Sequence, residues 1–274
     1  MSALRDQLAR LARQAGRTGA LSHTGDHRAA ELAEMDRARL RALLDRRHRA
    51  ACRDLPGETV AAGVRRIETA APSPLCATAI QPSWLETGPI ARERLVLLDT
   101  ETTGLAGGTG TKAFVIGMAS LAPPVIRVRQ WLLVQMAGES ALLAAVAAAL
   151  PPDPVLVTYN GKSFDLPLLR TRYRMNRLRE PFGEALHLDL LHPVRRRYRT
   201  AWPNCRLATV EDRLLGRPRS DDLPGSEAPA AWRRFLVSGD THDLKRVLTH
   251  NARDLVSLAH VLAHLLDGDR AVPR

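Results

Sequence analysis

The sequence predicts an α/β fold, a mixed sheet flanked by helices, with an N-terminal helical extension. Three observations point there. Between residues 95 and 134 three apolar runs follow one another with connections too short for a helical crossover, which implies antiparallel pairing. Beyond them helical and strand-like segments alternate. Ahead of them, residues 1 to about 50 carry apolar side chains at helical spacing with arginines between.

Taken in order, the chain opens on a helix with Leu4, Leu8 and Leu11, breaks near Ser22–Asp26, and resumes as a helix striped by Leu32, Met35, Leu40, Leu43 and Leu44. Residues 51 to about 90 hold Pro56, Pro72, Pro74, Pro82 and Pro89 and show little periodicity, so a connector lying against the main domain is expected. Residues 1–85 are thus read as extension and connector, and 86–274 as the main domain. Leu95–Asp99 suits a buried strand and leads into a turn with Gly104, Gly107, Gly108 and Gly110. Ala113–Ser120 and Val125–Val134 read as strands, Glu139–Leu150 as an alanine-rich helix and Val155–Tyr159 as a strand. Phe164–Arg177 reads as a helix, Leu186–Leu190 as a strand, and Leu207–Leu215, Pro229–Val237 and Asp243–Leu266 as helices.

A chain of 274 residues with 45% apolar content can bury a full core, packed mostly by aliphatics because aromatics make up only 4%. The net charge of +11 suggests a polyanionic partner such as nucleic acid. Almost all of the basic residues are arginine, beside Lys112, Lys162 and Lys245, a bias that the composition of the coding DNA also explains. Cys52, Cys76 and Cys205 are isolated, which argues against a disulfide framework or zinc site and fits a reducing, cytoplasmic location. The longest apolar run, Leu142–Leu150, is too short to span a bilayer, and the first residues lack a signal-peptide core, so no membrane partner is expected.

The chemistry rests on acids. Asp99 and Glu101 stand two apart at a strand end, so both side chains leave on one face. The apolar run before them puts Asp99 at the mouth of a buried strand, where ligand sites of α/β folds gather. Asn160 lies just past another strand, and Asp165 begins a helix, a position that any helix N-terminus also favours. Phe164 beside it is expected to pack inward and aim the carboxylate. His250 and Asp254 are four apart on one helix face, a spacing that surface pairs share. If these acids converge, their mutual repulsion calls for bound divalent metal.

This order of strand-end Asp-x-Glu, Asn-x-x-x-Phe-Asp and a helical Asp preceded by His resembles the DEDD superfamily of 3′–5′ exonucleases, whose fold is ribonuclease-H-like. YNGKSFD looks like the second exonuclease motif of B-family DNA polymerases. The closer resemblance is to bacterial YprB-like ribonuclease-H-like proteins, through LDTETTGLAGGTGT, YNGKSFDLPLL, LDLLHPVRR, CRLATVEDRLLG and HNARDLVSL, over about residues 90 to 266. The resemblance implies two Mg²⁺ or Mn²⁺ ions, with Asp99 bridging them, Glu101 and Asp254 on one and Asp165 holding the other through water. His250 would be the general base. One departure stands out: His250 occupies the spacing at which family members place tyrosine, whereas a histidine usually stands five before the last Asp.

Neither GGTGTK nor NGKS fits a phosphate-binding P-loop, since Thr111 precedes Lys112 and Leu156 stands where the second run needs its first glycine. The glycines are read instead as a tight turn near a nucleic-acid 3′ end. Thr102, Gly104, Asn160, Lys162 and Phe164 are the candidate contacts near the acids. Two arginine clusters are candidates for a phosphate track: Arg170, Arg172, Arg174, Arg177 and Arg179 with Tyr173, and Arg195, Arg196, Arg197 and Arg199 with Tyr198 and Trp202. The second is expected in a loop after Asp189, itself open to a supporting or structural role. The leading reading is a 3′–5′ exonuclease acting on a single-stranded 3′ end of DNA or RNA. The alternatives are a nucleic-acid-binding module with a vestigial site and a structure-specific endonuclease on the same fold.

Overall fold

A computed structural model describes residues 34–35, 37–39, 42–43, 45–47, 50–104, 110–219 and 223–270. The chain divides into two compact units, Met1–Arg49 and Ala50–Arg274. In the first, the described residues are helical, and Met35 and Leu43 of the predicted stripe are exposed. The earlier helix, the break near residues 22–26, and Leu32, Leu40 and Leu44 lie outside the described residues.

The second unit is built on a seven-stranded sheet. Its strands are β1 (Glu58–Ala61), β2 (Val64–Pro72), β5 (Leu95–Thr102), β6 (Ala113–Ala122), β7 (Val125–Leu133), β8 (Val155–Thr158) and β9 (His187–Asp189), in the order β1-β2-β7-β6-β5-β8-β9. A separate pair, β3 (Ala79–Ile80) and β4 (Ile90–Ala91), lies between β2 and β5 in the chain. The helices are α1 (Glu139–Ala148), α2 (Asp165–Met175), α3 (Leu191–Tyr198), α4 (Leu207–Leu215), α5 (Ala228–Ser238) and α6 (His242–Arg270). The predicted meander stands: β5, β6 and β7 pair antiparallel, while β5–β8 and β8–β9 are parallel.

Two expectations need correction. Residues 58–72 are no connector but β1 and β2, with β2 paired to β7 over nine residues from Val64↔Leu133 to Pro72↔Val125. Only Val64, Arg65 and Ile67 of β2 are buried, so the strand shows no two-residue period; backbone pairing to β7 holds it. Residues 191–198 are helix rather than loop. Leu191 and Val194 face the core three apart, and Pro193 is tolerated in the first turn, but three consecutive arginines obscure so short a stripe.

Strand β5 separates two cores. Val96 and Leu98 point to one, shared with Leu143 of α1, Leu169 of α2 and Phe235 of α5. Leu95 and Leu97 point to the other, shared with Val194 of α3, Val210 of α4 and Leu255, Leu258 and Leu262 of α6. This alternation decides where the polar end of the strand aims. Asp99 and Glu101 continue the α6 face, and Thr100 continues the α2 face.

Candidate active site

The acids meet where β5 runs out of its core. Asp165 opens α2, and Thr100 Oγ1 donates to its Oδ1 at 2.6 Å. From the other face, Asn251 of α6 donates through Nδ2 to Asp99 Oδ2 at 2.7 Å and to the Asp99 carbonyl at 3.3 Å. One turn further along α6, Asp254 lies close enough to Asp99 to act on its charge. A cleft of about 430 Å³ opens here, lined by Asp99, Thr100, Thr102, Gly104, Phe164 and Asp165. A larger cavity of about 970 Å³ between β2, β7 and α6 is lined mainly by apolar side chains and holds none of these acids.

Electrostatics set the cluster apart. Burial, then Asp254, Asp165 and Glu101, push the Asp99 carboxyl well above the usual range, only partly offset by the Asn251 amide. Burial raises Asp165 to about 6 against the hydrogen bond from Thr100. Asp254 is raised too, by burial, with His250 and Arg219 pulling the other way. Asp99, Asp165 and Asp254 are each more costly to ionise here than in water, and Asp254, Asp165 and Glu101 all act on Asp99.

Asp254 is the exception within the set. Arg219 donates to its Oδ1, and also to Glu211 of α4, whose carboxylate is fully buried. Ser257 Oγ donates to Glu211 as well, at 2.5 Å. His250 Nε2 lies 3.6 Å from Asp254 Oδ2, and its ring nitrogens stand 3.4 Å from Arg219. Among the described residues no three His, Cys, Asp or Glu side chains stand in a metal-ligating arrangement. The acids nonetheless offer carboxylate oxygen and an excess of negative charge, the chemistry that hard divalent cations match.

Other candidates fall into place unevenly. Phe164 is not packed inward: it is 57% exposed at the cleft, because its backbone caps α2 and turns the ring outward. Asn160 adopts a positive φ of 68°, and that loop is clamped by Asp189, which accepts from the amides of Asn160 (2.7 Å), Lys162 (3.0 Å) and Leu191 (3.1 Å). Asp189 is therefore a buried loop clamp, and the Lys162 side chain is exposed. Lys112 is ion-paired to Glu139. Gly104 accepts from Thr102 Oγ1 at 2.9 Å, while Gly107 and Gly108 lie outside the described residues.

In the first arginine cluster Arg172 is buried against Glu139 and the Tyr173 hydroxyl donates to the Leu143 carbonyl, whereas Arg170 pairs with Glu180 at the surface and Arg174, Arg177 and Arg179 are exposed. In the second, Arg195, Arg196 and Arg197 are exposed on α3. Tyr198 stacks on Trp202 with centroids 4.1 Å apart and hydrogen-bonds His264 of α6 at 2.9 Å. Reading the sequence missed Thr100, Gln130, Glu211, Arg219 and Asn251. Thr100, Glu211 and Asn251 sit within the family-like motifs LDTETTGLAGGTGT, CRLATVEDRLLG and HNARDLVSL, and a glutamine beside the apolar end of β7 was the remaining visible signal.

A mixed sheet whose central strand carries an acid pair, joined by acids from the helices on both faces, defines the ribonuclease-H-like class. The chain belongs to the RNase_H superfamily, matching the RNase_H_2 family model over residues 96–266. It is 38% identical over 175 residues to the uncharacterized protein YprB of Bacillus subtilis (strain 168), covering 64% of this chain but only 42% of that one. The chain thus spans less than half of that relative's length. Two solved structures are more distant. An ExoI/SSB-Ct complex shares 17% identity over 57% of this chain and 43% of its own, with a TM-score of 0.38. E. coli Exonuclease I in complex with a dT13 oligonucleotide shares 16% over 59% and 45%, with a TM-score of 0.37. Overlap that partial carries no functional weight.

Proposed function

We propose that this chain is a divalent-metal-dependent nuclease, a 3′–5′ exonuclease of the DEDD type that hydrolyses phosphodiester bonds of DNA or RNA. The observation that carries the reading is the Asp99 carboxyl, pushed far up by burial and by three neighbouring acids at the end of a buried strand. A protein gains nothing structural from such repulsion, so a cation is the natural partner. Asp99, Glu101, Asp165 and Asp254 would hold Mg²⁺ or Mn²⁺. Two such ions, when bound, supply an activated water and stabilise the leaving oxygen.

The chain's own residues would do the rest. Thr100 donates to Asp165 and would orient it, and His250, on the same helix face as Asp254, would take a proton from the attacking water. Phe164 offers an open ring for stacking a terminal base, worth about 1–3 kcal/mol. Arg195, Arg196 and Arg197 lie beside the far end of α6: Tyr198 contacts His264, ten residues or about 15 Å beyond Asp254. A single strand leaving the cleft along α6 would meet them.

The test uses single-stranded DNA and RNA labelled at either end, with Mn²⁺ or Mg²⁺, for wild type and Asp99→Ala. A ladder shortening from the 3′ end, absent in the variant, is expected. A metal-independent ladder, or equal digestion by the variant, would defeat the reading. Cleavage of a circular substrate would convert it to an endonuclease. A second reading, a binding module with a vestigial site, is favoured by one observation: Asp254 already holds Arg219. Tight oligonucleotide binding with no product under any metal condition would decide for it.

A further inference from the structure

Across the middle of the sheet, Asp99 of β5, Gly117 of β6 and Gln130 of β7 stand side by side in register. Helix α6 lies directly over them because Gly117 has no side chain: a Cβ there would stand 2.8 Å from Leu255 Cδ1 and would strike the Asn251 amide. Asn251 thereby sinks fully out of solvent, and Gln130 is 2% exposed. Gln130 Nε2 donates to the Leu248 carbonyl at 2.8 Å and to Asn251 Oδ1 at 2.8 Å. Asn251 Nδ2 in turn donates to Asp99 Oδ2.

The direction of this relay is determined from one end. A helix carbonyl can only accept, so Gln130 must present its NH₂ group to Leu248 and hence to Asn251. Asn251 must then present oxygen to Gln130 and NH₂ to Asp99. A flipped Asn251 amide would face NH₂ with NH₂ and carbonyl with carboxylate, both buried and both costly. The amide is also neutral. It orients Asp99 by one oxygen, leaves Oδ1 for another partner, and adds no positive charge that would compete with a cation.

We propose that Asn251, locked by Gln130 and admitted by Gly117, is the positioning residue that fixes Asp99 for metal binding and ties the register of α6, with His250 and Asp254, to β5. The proposal rests on the metal-nuclease reading above. Groups that orient metal ligands typically matter by about 10–100-fold in metal affinity or activity.

Asn251→Ala, Gln130→Met and the double variant can be compared with wild type by calorimetric Mn²⁺ titration, by kinetics on a single-stranded oligonucleotide, and by melting in EDTA. The expected result is Mn²⁺ affinity about 10–100-fold weaker in Asn251→Ala and about 10-fold weaker in Gln130→Met. kcat should fall in parallel while KM for the oligonucleotide changes by less than about twofold. The double variant should be no worse than Asn251→Ala, because both break one relay. A lower Tm with wild-type Mn²⁺ affinity and kcat would overturn the proposal and leave Asn251 a packing residue. If Asn251→Ala does not fold, Gln130→Met, which touches neither Asp99 nor the cleft, decides by the same criteria. A wild type that neither binds Mn²⁺ nor cleaves would instead bring down the nuclease reading, and this proposal with it.

Discussion

Glu139 and Asp99 are both carboxylates held within the fold, and the protein treats them in opposite ways. Burial raises the pKa of Glu139, but bidentate hydrogen bonds from Arg172, at 2.5 and 2.8 Å, and the charge of Lys112 more than offset it, leaving the group below its ordinary value. Burial raises Asp99 too, but its neighbours are three more acids, and only the neutral Asn251 amide works against them. The first acid is complete within the protein and ties the start of α1 to α2. The second is left in deficit at an open cleft. A compensated buried charge serves the fold, whereas an uncompensated one marks a candidate site for a ligand from outside.

The largest expected effect tests the deficit directly. Asp99→Asn should lower the metal-dependent cleavage rate by about 10³-fold or more, equivalent to about 4 kcal/mol of transition-state stabilisation. In EDTA the same variant should melt higher than wild type, since it removes repulsion. A variant that is less stable in EDTA would break the contrast with Glu139. Glu139→Gln should do the reverse, leaving cleavage per folded molecule intact and costing about 3–5 kcal/mol in urea unfolding, because Arg172 stays buried without its partner.

A pH titration should sharpen the contrast. In the folded chain Asp165 keeps its proton up to about pH 6, whereas unfolded it loses it near the ordinary value of 3.8. Between those limits the native state binds more protons, so stability falls as pH rises and levels off above about pH 7, by about 3 kcal/mol in EDTA. His187 opposes this, since burial lowers its pKa to about 4 and its contribution grows as pH rises. The measurement is therefore the stability difference between wild type and Asp165→Asn from pH 4 to 8, in which the His187 contribution cancels. A flat difference would show that Asp165 is not strained.

The smallest effect concerns the intermediate case, Asp254, whose partner Arg219 also serves Glu211. Arg219→Met should destabilise the metal-free protein, and saturating Mn²⁺ should recover about 1–2 kcal/mol more in the variant than in wild type, by linkage to the freed carboxylate. Equal Mn²⁺ stabilisation of both proteins would place Arg219 with the structural arginines such as Arg172.

Much of this molecule was written in local pattern. The apolar run Leu95–Leu98 announced the central strand, the short connections announced the antiparallel meander, and two-residue spacing put Asp99 and Glu101 on one face. Helical spacing did the same for His250 and Asp254. These are properties of a few consecutive residues, and period alone reveals them. Strand β2, whose outer half faces solvent, and α3, whose stripe is two residues deep, lacked such a period and were misread.

What folding alone decided is which groups meet over long sequence distances. Nothing local says that Arg172 belongs to Glu139 and Arg219 to Asp254, or that the exposed Phe164 turns away from the core. Nor does it say that Gly117 clears the way for Asn251, 134 positions later, to reach Asp99. The acid types and their order came from the chain itself, because residue spacing sets the face of a strand or helix. Whether each acid ended compensated or in deficit was settled by packing, because charge depends on neighbours within a few ångströms, and those neighbours are chosen by the tertiary fold.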